Sequence, residues 1–88
     1  MGEGDLRQML VDAIDGSTIV GLRRSGLMEG FLDGTADIPF AALEMDSMGV
    51  MELCIAVEVN TGIEVVPAEL VELGSLGAVV ATILERQQ

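Results

Sequence analysis

Three sets of side chains in this sequence could do chemistry: a serine, a cysteine and a run of oxygen ligands. Ser47 lies between Asp46 and Met48 at the predicted start of a helix, where a serine most simply acts as a helix cap. Cys54 could be a nucleophile, but the chain has no histidine to serve as its base. We therefore expect Cys54 to be a buried structural cysteine.

The oxygen ligands lie in the stretch DGTADIPFAALE, residues 33–44, which nearly fits a calcium-binding loop. Four of them fall at loop positions 1, 3, 5 and 12, namely Asp33, Thr35, Asp37 and Glu44. Position 6 is Ile38, whereas the loop requires glycine there, and Pro39 follows. We therefore expect no metal site and no catalytic residues in this chain.

The composition limits the kind of partner. The chain has 88 residues, half of them apolar and only two of them aromatic, so we expect a single domain, residues 1–88, with an aliphatic core. The net charge of −11 argues against nucleic acid and membrane surfaces as partners, and favours proteins with basic patches. One cysteine excludes an internal disulfide, and no signal peptide is evident, so we expect a cytoplasmic protein. We expect the chain alone to be a monomer.

The first half of the chain is predicted to contain one clear helix and a long connection. The apolar residues between Asp5 and Ile14 follow helical spacing, with Asp5 as the cap and Gly16 as the stop. The five glycines between residues 16 and 40 limit any helix there to one or two turns, predicted at Thr18–Arg24 and Leu27–Leu32. The apolar side chains of this connection are expected to pack on the core. Arg23 and Arg24 are expected to be solvated or paired with nearby acids.

The second half is predicted to contain three helices. The first runs from Met48 to about Asn60 and stops at Gly62, and the second is the short stretch AELVEL between Pro67 and Gly74. Ser75 caps the last helix, which runs from Leu76 to about Arg86. The fold class is therefore all-α, a four-helix bundle with three main helices, one short helix and a long first loop.

The helix after Ser47 has apolar residues on two sides. One stripe contains Met48, Met51, Ile55 and Val59, which we call the outer stripe, and the opposite side contains Val50, Leu53, Cys54 and Val57. A surface helix needs only one apolar stripe to contact a core. Either this helix is buried on all sides, or the outer stripe faces solvent and binds partners. Burial on all sides is difficult in so short a chain, so we favour the second interpretation.

Several short motifs around Ser47 occur together at fixed spacing. They are DSM at residues 46–48, EL at 52–53 and GIEV at 62–65. This constellation resembles the acyl carrier protein family, in which Asp-Ser-Leu opens the second helix, Glu-Leu follows, and Gly-Ile-Glu-Ile-Pro comes after the helix. The resemblance extends from Asp37 to Glu85, and the acidity and the all-helical pattern agree with it.

The resemblance implies that Ser47 carries a 4′-phosphopantetheine arm, transferred from coenzyme A by a phosphopantetheinyl transferase. A phosphodiester is favoured at a helix N-terminus, where free N–H groups and the helix dipole meet it. The resemblance gives Asp46 a role in recognising the transferase and the cofactor. The arm's thiol would hold acyl groups as thioesters for acyltransferases, ketosynthases or acyl- and aminoacyl-loading enzymes. Docking to these enzymes is expected to use the outer stripe and its flanking acids, namely Met48, Met51, Glu52, Ile55, Glu58 and Val59.

The sequence departs from the family at several points, and the lost acids and the long first connection favour a specialised carrier. Met48 replaces the usual leucine, and Gly49 and Val59 stand where fatty-acid carriers often have acids. The first connection is also longer than is usual in the family. We therefore expect a discrete carrier for polyketide or other specialised-metabolite biosynthesis. An aminoacyl or peptidyl carrier of a hybrid pathway and an unmodified acidic helical adaptor are the alternatives.

Overall fold

The computed structural model describes residues 1–17, residue 19 and residues 21–87. Within these ranges the chain forms helices and no strand. In chain order they are α1 (Glu3–Asp15), α2 (Gly21–Ser25), α3 (Met28–Asp33), α4 (Phe40–Leu43), α5 (Ser47–Thr61), α6 (Pro67–Leu73) and α7 (Leu76–Arg86).

The four predicted helices correspond to α1, α5, α6 and α7, and they form the expected bundle. Helix α1 packs against α5 and α7, and α6 packs against both of these as well. The side chains between them are almost entirely aliphatic, with Phe31 as the largest fully buried residue. The all-α fold class is therefore confirmed, and its core is aliphatic as the composition predicted.

The predicted N-cap of α1 is wrong by three residues. Asp5 is not the N-cap, because the helix begins at Glu3 and Gly2 is the capping residue. The Asp5 carboxylate instead reaches back to accept a hydrogen bond of 3.1 Å from the Gly2 N–H. Asp5 therefore stabilises the helix start from inside the first turn, where a negative charge also faces the positive end of the helix dipole. The predicted stop at Gly16 is confirmed.

The long first connection is more ordered than a loop, because it contains α2, α3 and α4. The prediction of a turn at Thr18–Arg24 corresponds to α2, although Thr18 itself lies outside the described residues. Gly21 packs so closely on α4 that a Cβ atom there would lie 2.3 Å from the Leu43 carbonyl carbon. Phe31 in α3 is held to α1 by Arg7, whose guanidinium lies 4.7 Å from the ring centroid and donates to the Phe31 carbonyl. The prediction that this connection packs on the core is confirmed.

A short backbone pairing fixes the chain just before α4 to the start of α7. The Phe40 N–H donates to the Gly74 carbonyl at 2.9 Å, and the Leu76 N–H donates to the Ile38 carbonyl at 3.0 Å. The Asp37 carboxylate adds a third tie, because it accepts a 2.7 Å hydrogen bond from the Gly77 N–H. The two ends of the segment 37–77, which contains α4, α5 and α6, are therefore joined.

The predicted caps of the last three helices are confirmed. Gly62 and Gly74 end α5 and α6 with φ angles of 73° and 81°, a left-handed conformation that glycine adopts without steric cost. Ser75 caps α7, and its hydroxyl accepts a hydrogen bond from the Ala78 N–H.

Candidate functional site

Ser47 is the first residue of α5, and its side chain is exposed. The N-cap is its neighbour Asp46, whose carboxylate accepts a 2.8 Å hydrogen bond from the Gly49 N–H. Of the two cap residues that the sequence left open, the structure therefore selects Asp46. Because Asp46 supplies the cap, the Ser47 hydroxyl is not needed for this structural role.

The first turn of α5 has backbone donors that can face an anion. An α-helix leaves its first four N–H groups without an intrahelical partner. The Gly49 N–H is taken by Asp46, and the Val50 N–H donates to the Asp46 carbonyl at 3.1 Å. The N–H groups of Ser47 and Met48 lie earlier in the turn, beside the Ser47 hydroxyl. A phosphodiester on that hydroxyl would therefore be close to two backbone donors and to the positive end of the helix.

Gly49 is buried against the first connection. A Cβ atom on Gly49 would lie 2.9 Å from Ile19 Cγ1, closer than side chains tolerate. The absence of an acid at position 49, which the sequence showed as a departure, thus has a packing reason: Ile19 occupies the space. The connection therefore supports the first turn of α5 directly, a contact between distant parts of the chain that no local pattern reveals.

An apolar groove begins at Ser47 and runs between α5 and α6. Its lining includes Val50 and Met51 from α5, and Pro67, Ala68 and Val71 from α6. The residues that α6 contributes to this groove, Pro67, Ala68 and Val71, were not among the predicted site residues. A signal was present, because Val71 is an apolar residue off the inward face that Leu70 and Leu73 define, and in the structure it is exposed.

The outer stripe of α5 faces solvent. The side chains of Met48, Met51, Ile55 and Val59 are 59%, 56%, 57% and 78% exposed, respectively. On the opposite side, Leu53, Cys54 and Val57 belong to the core and Val50 is partly buried. The interpretation of α5 as a helix buried on all sides is therefore wrong. Of the two flanking acids, Glu58 is exposed and Glu52 is partly buried.

Cys54 takes no part in this exposed surface. It is buried, as expected, and burial raises the pKa of its thiol, so that the thiolate is disfavoured at neutral pH. Among the described residues, no group of acids, cysteines or histidines is arranged to hold a metal ion. The described helices include none that is long and apolar enough to cross a membrane.

Arg23 and Arg24 each form an ion pair with an acid, which confirms the expectation that they pair with nearby acids. Arg23 lies 3.0 Å from an Asp15 oxygen, and Arg24 lies 3.3 Å from a Glu44 oxygen. Both pairs are solvent-exposed, so each contributes little to stability. Glu44 adopts a left-handed backbone conformation, with φ of 54°, between α4 and Asp46.

Comparison with protein-family models identifies the family to which the chain belongs. A family model described as "phosphopantetheine attachment site" matches residues 30–83, more than half of the chain. The chain belongs to this family. Searches of curated proteins and of solved structures gave no significant match.

Membership of the phosphopantetheine-attachment family establishes the general role. Domains of this family are carriers without catalytic activity of their own, and their prosthetic group is a covalently attached 4′-phosphopantetheine. This chain is therefore a carrier protein and not an enzyme. Its partners are a transferase that attaches the arm and biosynthetic enzymes that act on what the arm holds. The matched region includes Ser47 and all of α4, α5 and α6.

Proposed function

We propose that Ser47 is the residue that carries the 4′-phosphopantetheine arm. The proposal rests on the different structural roles of Asp46 and Ser47 at the start of α5. Asp46 caps the helix, and the neighbouring serine is left exposed beside two backbone donors. In the transfer, the Ser47 hydroxyl releases its proton, its oxygen forms a bond to the phosphorus next to pantetheine, the bond from that phosphorus to the adjoining phosphate breaks, and adenosine 3′,5′-bisphosphate leaves.

We further propose that the cargo is an acyl group of polyketide or other specialised-metabolite biosynthesis. The apolar groove that begins at Ser47 supports an acyl cargo, because it offers hydrocarbon contacts beside the attachment point. Gly49 and Val59 support a narrower set of partners, because enzymes that recognise acids at these positions of a carrier lose those contacts here. Acyltransferases, ketosynthases and loading enzymes are the partner classes.

Modification of purified protein tests the attachment site. Incubation with coenzyme A and a promiscuous phosphopantetheinyl transferase is expected to increase the mass of the wild-type chain by one phosphopantetheinyl group. The Ser47→Ala variant is expected to gain none, whereas Ser25→Ala, a matched serine removal in α2, is expected to be modified like wild type. Equal modification of Ser47→Ala would exclude this serine. Circular dichroism of both variants checks that the fold is retained.

Loading of the modified protein tests the cargo. We expect acyltransferases to transfer acyl groups from coenzyme A thioesters to the arm, as measured by intact mass. Preferential charging by amino-acid-adenylating enzymes would support the aminoacyl alternative instead. Partner binding that survives in Ser47→Ala and needs no cofactor would support the adaptor alternative.

A further inference from the structure

The turn that leads into α5 contains a left-handed residue that is not glycine. Glu44 follows α4 with a φ of 54° and lies close before Ser47 in the chain. The other described residues with a positive φ are all glycines, namely Gly26, Gly34, Gly62 and Gly74. A side chain makes the left-handed conformation less favourable, because Cβ comes too close to the following carbonyl oxygen. The turn itself therefore gives no reason for a glutamate at this position.

The Glu44 side chain contacts the long first connection. One of its carboxylate oxygens lies 3.3 Å from Nη1 of Arg24, so the pair joins the turn to α2. Both side chains are mostly exposed, and an exposed ion pair contributes too little to be needed for folding. Such a pair can still change the populations of two turn conformations that are close in free energy, by about two- to fivefold.

Two further contacts from the same connection lie on either side of this turn. Before it, Gly21 packs against the backbone of Leu43, the buried last residue of α4. After it, Ile19 packs against Gly49 in the first turn of α5. All four of these residues are buried, so the two contacts fix both ends of the turn to the core. The ion pair acts on the chain between these ends, and it is the exposed part of the same junction.

We propose that Arg24 and Glu44 are positioning residues for the attachment of phosphopantetheine to Ser47. Their ion pair holds the left-handed turn in the conformation that presents the serine to the transferase. Without the pair the strained turn samples other conformations, and only a fraction of the molecules presents Ser47 correctly. The apparent affinity for the transferase falls by that fraction, whereas the rate of transfer within the complex is unchanged. The inference rests on the proposed function, because it takes Ser47 as the attachment site.

Kinetics of the modification reaction test the proposal. The concentration of the chain is varied at saturating coenzyme A with a promiscuous phosphopantetheinyl transferase, and KM and kcat are determined separately. Arg24→Gln and Glu44→Gln are each expected to raise the KM for the chain about two- to fivefold and to leave kcat unchanged. A double variant that combines Arg24→Glu with Glu44→Arg restores the pair with its charges exchanged, so its KM should return close to that of wild type.

Arg23→Gln is the matched control. Arg23 precedes Arg24 on α2, its own ion pair with Asp15 is also exposed, and its replacement changes the net charge by the same amount. Its KM should equal that of wild type. Arg24→Gln and Glu44→Gln change the net charge in opposite directions, so a general effect of charge on the encounter with the transferase would shift their KM values in opposite directions.

Two further measurements separate positioning from folding. Because the paired side chains are exposed, the melting temperatures of all these variants should stay close to that of wild type. Backbone amide relaxation, measured by NMR, should show greater mobility of residues 44–47 in Arg24→Gln and in Glu44→Gln. The double variant should show wild-type mobility there, which a role in overall stability alone would not explain.

Any of several results would overturn the proposal. They are an unchanged KM in both Gln variants of the pair, KM shifts of opposite sign, an equal rise in Arg23→Gln, loss of the fold in either Gln variant, and a double variant as impaired as the single ones. The last result would show that Glu44 itself contacts the transferase. These results leave the attachment site untouched: modification of Ser47→Ala would exclude the proposed function, whereas they would exclude only the positioning role.

Discussion

At the scale of single residues, Asp46 and Ser47 have different structural roles at the start of α5. Asp46 satisfies the Gly49 N–H, and this leaves Ser47 exposed at the first position of the helix. The sequence could not assign these roles, because aspartate and serine are both preferred N-cap residues. The choice depends on which of the two adopts extended backbone angles, and Asp46 does so with φ of −95° and ψ of −175°.

Substitutions at Asp46 separate its cap from its charge. Asp46→Ala removes the cap and is expected to lower the free energy of unfolding by about 1 kcal/mol. Asp46→Asn keeps a side-chain oxygen of similar capping strength, so its stability should stay close to wild type. If Asp46 also contributes its charge to transferase recognition, Asp46→Asn should slow phosphopantetheine attachment without loss of stability. Thermal unfolding and initial modification rates measure the two effects, and equal rates for Asp46→Asn and wild type would leave Asp46 a cap alone.

At the scale of elements, the sequence predicted what local signals determine. Helical spacing, glycine stops and the cap at Ser75 defined the bounds of α5, α6 and α7 to within one residue. The connection between α1 and α5 was harder, because its helices are held by contacts between distant residues. Such contacts join Gly21 to Leu43 and Gly49 to Ile19. A glycine in a sequence can mark either the end of a helix or a close approach of two backbone segments, so the sequence alone does not reveal these contacts. The groove at Ser47 was not predicted; of its α5 lining, only Ser47 and Met51 were among the predicted site residues.

The joint between Asp37 and α7 makes the stability of the bundle depend on pH. Partial burial raises the pKa of the Asp37 carboxyl. Hydrogen bonds from the Ser75 hydroxyl and from the Gly77 and Ile38 N–H groups lower it, and so does the positive charge of Arg7. These effects together outweigh burial, so the pKa lies below its usual value of 3.8. A carboxylate whose pKa is lower in the folded state stabilises the fold above its unfolded pKa. That contribution is lost as the pH falls below 3.8 and passes through the folded pKa.

Removal of the carboxylate tests this joint. At pH 7, Asp37→Ala is expected to lower the free energy of unfolding by about 1 kcal/mol, because the Gly77 N–H in the first turn of α7 loses its side-chain acceptor, as when a helix cap is removed. In a domain of this size that corresponds to a fall in melting temperature of about 4–8 °C. The difference from wild type should shrink as the pH falls below 3.8 and passes through the lower folded-state pKa of Asp37, where the carboxylate becomes protonated. Glu29→Ala, the loss of an exposed acid on α3, is the control for the general effect of charge removal, and an equal loss in both variants would contradict the prediction.

At the scale of the whole molecule, a single helix combines the features of a carrier. Helix α5 begins with Ser47, the proposed attachment residue, borders the apolar groove proposed for the cargo, and exposes the outer stripe to solvent. Helix α5 packs against α1 and α6, and Leu53 and Val57 on its inner side are buried. The helix can therefore be apolar on two sides because only one of them is needed for the core.

The excess of negative charge predicts that moderate salt stabilises the fold. The chain has fifteen acids and four arginines, and each arginine already pairs with a different acid. Screening weakens these four exposed or partly exposed pairs, which contribute little, but it also weakens the repulsion among the remaining acids. We therefore expect the melting temperature to rise with sodium chloride, with most of the increase below about 0.2 M, where the Debye length shortens to within the spacing of surface charges. Equal osmolality of sucrose is the control, since it stabilises without screening and gives no early plateau. A melting temperature that stays constant or falls over the same range of salt would show that repulsion among the carboxylates does not measurably lower the stability of the fold.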